Sequence, residues 1–159
     1  MKTNAMRALD HAGVVYRAVA YKTTEDDLSG GHVASLIGMP EEQVFKTLVT
    51  TGDRTGICVF CIPVCCELDL KKAATVSGNR KIEMLPLRDL LATTGYVRGG
   101  CSPVGMKKKF PLWIDETAIL FREISVSAGI RGCQVILAPP ALIDLVTAEL
   151  GDVTRDMKN

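Results

Sequence analysis

Two β-rich runs, QVFKTLVT (43–50) and ICVFCIPV (57–64), are separated only by TGDRTG (51–56). A short polar connector that carries Gly52 and Gly56 predicts an antiparallel hairpin. This pair is the most constraining feature of the chain, because a hairpin of such apolar strands must be covered on both faces. The covering elements can be read on either side. NAMRALDHAG (4–13) reads as a helix closed by Gly13, and VVYRAVAY (14–21) as a strand. KTTEDDLSGG (22–31) reads as a loop whose acidic cluster is solvated, and HVASLIG (32–38) as a second helix. LDLKKAATVSG (68–78) predicts a helix with Asp69 as N-cap and Gly78 as terminator. KIEML (81–85) is a short strand, and PLRDLLATTG (86–95) a helix that starts on Pro and stops at Gly.

Further on, PLWIDE (111–116), EISVSA (123–128) and CQVILA (133–138) read as strands, the last two joined by the tight turn GIRG (129–132). PPALIDLVTAELG (139–151) reads as one closing amphipathic helix. Hairpin-joined strands with single helices between them predict an α+β fold rather than a doubly wound parallel sheet. Closure into a small barrel is compatible with this pattern without being dictated by it. At 159 residues, with 47% apolar and 23% charged residues, one domain spanning 1–159 around a single core is expected.

The net charge of +1 argues against bulk electrostatic binding of nucleic acid, so any such partner must be met by a local patch. The opening MKTNAMRALDHAG has neither the apolar core nor the cleavage pattern of a secretory signal. No stretch approaches the roughly 18 apolar residues of a membrane span. The expected location is the cytoplasm, where the six cysteines stay reduced. Cys58 and Cys61 form C-x-x-C, but inside a strand, where positions three apart face opposite ways. With no second such pair and no paired histidines, they read as buried structural thiols rather than a redox pair or a zinc site.

Four groups of residues resist a purely structural reading. Lys46 sits in FKTLVT, where both strand faces carry apolar side chains; it is either a lysine snorkelling from an edge or a cation at a cleft mouth. In GYVRGGCSPVGMKKKF (95–110), Gly99 and Gly100 permit φ > 0 and close approach, and consecutive N–H groups of such a loop can cradle an anion. The competing reading is a helix-to-strand connection. Cys101 in that loop lacks any visible base, since the two histidines are His11 and His32, so a thiol nucleophile is disfavoured. Lys107, Lys108 and Lys109 are either a solvated run or a guide for a phosphate backbone. Ser127, Gly129 and Arg131 either serve the turn or line the same cleft.

In combination and order, VFKTLV (44–49), LDLKKAA (68–74), TGYVRGGCSPVGMKKKF (94–110), SAGIRG (127–132) and LAPPALI (137–143) resemble the YbaK/EbsC family, which is similar to the editing domain of bacterial prolyl-tRNA synthetases. GGCSPVGMKKK resembles the branch that hydrolyses mischarged Cys-tRNA(Pro). The resemblance implies a compact, largely antiparallel β-barrel-like sheet flanked by helices, and a cytosolic deacylase with no metal, cofactor or catalytic triad. It places the key lysine at Lys46, followed by Thr47. It places the glycine loop at Gly99, Gly100, Cys101 (through its backbone), Ser102, Pro103 and Gly105, and the second loop at Ser127, Gly129 and Arg131. Tyr21 is the aromatic near the cleft. The lysines 107–109 would face tRNA, and selection of tRNA(Pro) would come from a transient complex with prolyl-tRNA synthetase. Substrate-assisted attack is the mechanism so implied. The alternatives are a non-catalytic module that holds a nucleotide or aminoacyl end, a hydrolase using Cys101, and a deacylase of another mischarged tRNA. Many members carry an acid where Ile136 stands here.

Overall fold

The computed structural model describes residues 2–23 and 30–156. The first part of the chain forms α1 (Asn4–His11), β1 (Tyr16–Ala20), α2 (Gly30–Ile37), β2 (Phe45–Gly52) and β3 (Gly56–Pro63). Then follow β4 (Cys66–Leu68), α3 (Leu70–Ser77), β5 (Ile82–Met84), α4 (Leu90–Thr94) and β6 (Leu112–Asp115). The chain closes with β7 (Ile124–Ser127), β8 (Cys133–Leu137), α5 (Pro139–Val146), β9 (Glu149–Gly151) and β10 (Thr154–Asp156).

The hairpin is the spine. Phe45 pairs with Pro63 at one end and Gly52 with Gly56 at the other. It centres a five-stranded sheet ordered β5-β2-β3-β6-β9, while β1-β8-β7 form a second sheet and β10-β4 a two-stranded ribbon. Val44 bridges Ser125, which joins the two larger sheets along one seam. Most pairings are antiparallel, but β3 with β6 and β6 with β9 are parallel. The α+β, largely antiparallel expectation therefore holds, with helices packed outside the sheets.

Strand alternation sorts the hairpin's side chains into two cores. Phe45, Val49, Val59 and Cys61 join α1, β7, β8 and α5 in the larger one. Cys58, Phe60 and Ile62 pack with α3, Ile82 and Trp113 in the smaller, where the Phe60 and Trp113 rings stack at 5.3 Å. Cys58 and Cys61 thus fall in different cores, as their spacing predicts. The cap of α3 is also the one read from sequence: the Asp69 carboxylate accepts from the Lys71 and Lys72 N–H groups, and Gly78 closes the helix at φ 76°.

Three expectations need correction. The segment 86–95 is a 3-10 turn, Leu87–Asp89, leading into a short α4, because Pro86 admits a tight turn before the helix proper. The closing helix does not reach residue 151. It ends where Thr147 takes φ 54°, and Glu149–Gly151 then pairs in parallel with β6. The ribbon of β4 with β10, which sets Glu67 opposite Arg155, is also absent from the sequence reading. The loop expected over 22–31 lies mostly outside the described residues, and its last two residues begin α2.

Candidate active site

At the open end of the spine, β2 crosses the seam between the two larger sheets, and a cavity of about 410 Å³ opens there. Its walls are mostly apolar: Val44, Phe45, Leu48 and Val49 from β2 and its entry, Val33 from α2, Val64, and Met84, Leu85, Leu87 and Leu90. Into it project Lys46 and Thr47, Tyr21, Arg98, Gly99, Cys101, Ser127 and Gln134. Six of the residues singled out from sequence thus share one cavity, although they come from four separate stretches of chain.

Lys46 is half-buried on β2, opposite Ile62. It makes no hydrogen bond or ion pair among the described residues, and no carboxylate among them lines the cavity. A cation held against apolar walls without a counter-ion is available to a ligand, which favours the cleft reading over the snorkelling one. Next to it, the Thr47 hydroxyl lies 3.6 Å from the Cys61 sulfur, and burial pushes that thiol up to about 12.

The glycine loop is built differently from its sequence reading. Gly99 adopts φ 84°, but Gly100 does not take a positive φ. Gly100 is glycine because the second loop lies against it: a Cβ there would sit 3.1 Å from the Ile130 backbone. Its N–H is also occupied, donating to the Val97 carbonyl at 3.0 Å. Of the N–H groups proposed for anion binding, those of Cys101 and Ser102 donate to nothing among the described residues. Ser102 itself is fully buried, and its hydroxyl accepts from the Val104 N–H at 3.2 Å, a local turn-forming contact rather than a ligand contact.

Gly105 and Gly129 serve packing. Tyr96 is buried with its hydroxyl donating to the Val104 carbonyl at 2.6 Å, and a Cβ on either glycine would press on this ring or its oxygen. Pro103, Gly105, Lys108 and Lys109 line a second cavity of about 230 Å³, between α1 and the end of α5. Lys109 there donates to the Thr147 hydroxyl. The lysine run and the later half of the glycine loop are therefore not brought to the Lys46 cavity, because the Ser102–Val104 turn carries the chain to another face.

The second loop reaches the cavity through Ser127, whose hydroxyl accepts from the Gly129 N–H. Arg131 is exposed, and its Nε donates to the Arg98 carbonyl at 2.8 Å, tying the two loops together. Burial pushes the Cys101 thiol up to about 11, against a weaker opposing hydrogen bond from Thr94. Neither histidine lines the cavity with it. The thiol is thus protonated near neutral pH and has no base, which disfavours a nucleophilic role.

Two polar residues of the cavity were not singled out from sequence. Gln134 is almost fully buried on β8, with its Oε1 accepting from the Ser125 hydroxyl at 2.7 Å and its Nε2 directed at the Tyr21 hydroxyl. A glutamine inside the apolar run CQVILA was the available signal. Ile136, two residues on, is buried and does not line the cavity. Arg98 was hidden in a glycine-rich loop where a lone cation carries no pattern.

Residues 29–145 match the family model described as the aminoacyl-tRNA editing domain. A curated protein of Enterococcus faecalis (strain ATCC 700802 / V583), named "Putative Cys-tRNA(Pro)/Cys-tRNA(Cys) deacylase EbsC", is 50% identical over 153 residues, covering 96% of this chain and 93% of its own. Two solved structures share the fold. One, described as "a putative trans-editing enzyme for prolyl tRNA synthetase", is 23% identical at a TM-score of 0.82, covering 98% of this chain and 99% of its own. The other, hypothetical protein APE2540, is 19% identical at a TM-score of 0.87, covering 96% and 100%. With the family model spanning most of the chain and half of all residues shared with a full-length relative, this chain belongs to the aminoacyl-tRNA editing domain family, on the YbaK/EbsC side to which its motifs point.

Proposed function

We propose that the chain is a trans-editing deacylase that hydrolyses the ester of mischarged Cys-tRNA, with Cys-tRNA(Pro) as its main substrate. The observation that carries this reading is the apolar cavity of about 410 Å³ with Lys46 in its wall, without a partner among the described residues. That volume lies within the roughly 300–1,000 Å³ of small-molecule sites, enough for an aminoacyl group together with its ribose. The family and the name of the 50% identical relative support the same chemistry.

An ester is already activated, so modest assistance suffices. Lys46 supplies positive potential beside the ester and holds the ribose end in position. The Cys101 N–H, without a partner among the described residues, donates to the oxygen that gains charge as the carbonyl is attacked. No described side chain in the cavity is a competent base. The substrate's thiol therefore attacks its own carbonyl: an S–C bond forms, the C–O bond to ribose breaks, and the thiol proton passes to the departing ribose oxygen. The thiolactone then opens in water. Ser127, Gln134 and Tyr21 line the same cavity, and in this reading they are the contacts of the substrate amine. Choice of tRNA(Pro) comes from a transient complex with prolyl-tRNA synthetase in the cytoplasm, since phosphate contacts alone do not specify a sequence.

The test is hydrolysis of Cys-tRNA(Pro) beside Ser-tRNA(Pro) by the purified chain. Rapid cleavage of the cysteinyl ester and far slower cleavage of the seryl ester is expected, because a hydroxyl is the poorer nucleophile near neutral pH. Binding without hydrolysis of either would make the chain a holding module instead.

A further inference from the structure

Beyond the Lys46 cavity, the surface around Gly99 gathers cations. We infer that Lys22, Arg98 and Arg131 form a phosphodiester subsite that takes the last internucleotide linkage of a single-stranded RNA 3′ end. This inference rests on the deacylase reading above and adds the residues that hold the backbone.

Arg98 lines the main cavity. Lys22 and Arg131 line a small hollow that adjoins it and shares Tyr21, Val33 and Gly99 with it. His32 borders the same hollow. No Asp or Glu among the described residues lines either space. The described ion pairs all lie elsewhere, joining Lys2 with Asp10, Arg17 with Glu123, Lys72 with Asp152, Lys81 with Glu83 and Arg155 with Glu67. Lys22 and the Arg98 side chain make no hydrogen bond or ion pair among the described residues. In a chain of net charge +1, three cations at one mouth without a carboxylate partner among the described residues are a local concentration of positive charge.

The arrangement is also positioned. The Arg131 Nε is fixed on the Arg98 carbonyl, which leaves its terminal N–H groups to a ligand. The side chain lies across Gly99, where a Cβ would come 3.2 Å from Nε and 3.3 Å from Cγ. Glycine at 99 is therefore what lets the guanidinium lie flat beside the cavity mouth. A planar donor set held in this way suits a phosphate oxygen pair. An acyl group directed at Lys46 leaves its nucleotide at this mouth, one linkage away. The lysines 108 and 109, against the second cavity, lie on another face.

The experiment compares two small substrates, the cysteinyl ester of adenosine and that of adenosine 5′-phosphate, whose phosphate stands for the linkage. In the wild type, the phosphate is expected to raise kcat/KM by at least about tenfold. In the Lys22→Gln, Arg98→Gln double variant that ratio falls towards one. Arg131→Gln lowers it too, but also releases the loop clamp, so the double variant decides. A ratio that survives in the double variant overturns the subsite and leaves the deacylase reading standing. Hydrolysis of neither ester by the wild type overturns that reading, and the subsite with it.

Discussion

The two ends of the β2–β3 hairpin are made from the same two strands and treated in opposite ways. At the turn end, Asn79 is buried and fully engaged. Its Oδ1 accepts from the Arg54 and Thr55 N–H groups at 2.8 and 2.9 Å, and its Nδ2 donates to Thr55 and Ser77. Asp53 returns the contact by accepting from the Arg80 and Lys81 N–H groups, which holds its carboxyl below the usual range. Gly52 is glycine because the Asn79 amide occupies the place of its Cβ. At the other end, Lys46 has no partner among the described residues, and the Cys101 N–H across the cavity has none either. One end spends its polar groups on the fold, and the other holds them back for a ligand. If this division is right, substitutions at the two ends separate stability from catalysis.

The largest separation is expected at Gly100. A valine there meets the Ile130 backbone, which cannot move aside as a side chain can, so the two cavity loops part. Gly100→Val should lower deacylation of Cys-tRNA(Pro) at least about 100-fold, near 2.7 kcal/mol. A melting temperature that falls to the point of unfolding would show that the loops belong to the stability end instead. Asn79→Ala should do the reverse. It leaves two N–H groups unpaired, a loss of about 2 kcal/mol in urea denaturation. Turnover per folded molecule should stay at the wild-type level, and a parallel fall in turnover would break the comparison. Lys46→Ala comes next: at least about tenfold in kcat/KM, near 1.4 kcal/mol, with the urea midpoint unchanged. A folded Lys46→Ala with wild-type turnover removes its assigned role.

How far the sequence announced this division depended on the range of the contacts involved. The hairpin, the α3 cap and the placement of Cys58 and Cys61 on opposite faces follow from alternation and local caps, which few residues decide. Lys46 was visible for the same reason, as a charge on a strand with two apolar faces. What stayed hidden needs partners far along the chain. Gly100 is shaped by Ile130, Gly129 by Tyr96, and β9 by β6, and none of these can be read within a local window. The lysine run shows the converse case, in which sequence neighbours part in space. Adjacent in sequence to the glycine loop, Lys108 and Lys109 are carried by the buried Ser102–Val104 turn to the second cavity, where they remain open to an RNA backbone.

The smallest activity effect is expected where reactivity is easiest to suspect. Cys101 lines the cavity, yet burial holds its thiol up at about 11, so near pH 7 it is protonated and a poor nucleophile. In the proposed reaction the part of Cys101 that acts is its N–H, which alanine keeps. Cys101→Ala should therefore change kcat/KM by no more than about threefold, under about 0.7 kcal/mol. Its trace appears in stability at high pH instead. A thiol raised in the folded state favours folding while both states are protonated, below the ordinary value of 9.0, and that contribution is lost as pH rises through about 11. The wild type should lose melting temperature across this window, and Cys101→Ala should lose less. A remainder will persist from Cys61, which burial raises further still. A dead Cys101→Ala, together with a covalent acyl-enzyme trapped on the wild type, would make the enzyme's own thiol the nucleophile and place Cys101 among the groups held back for catalysis.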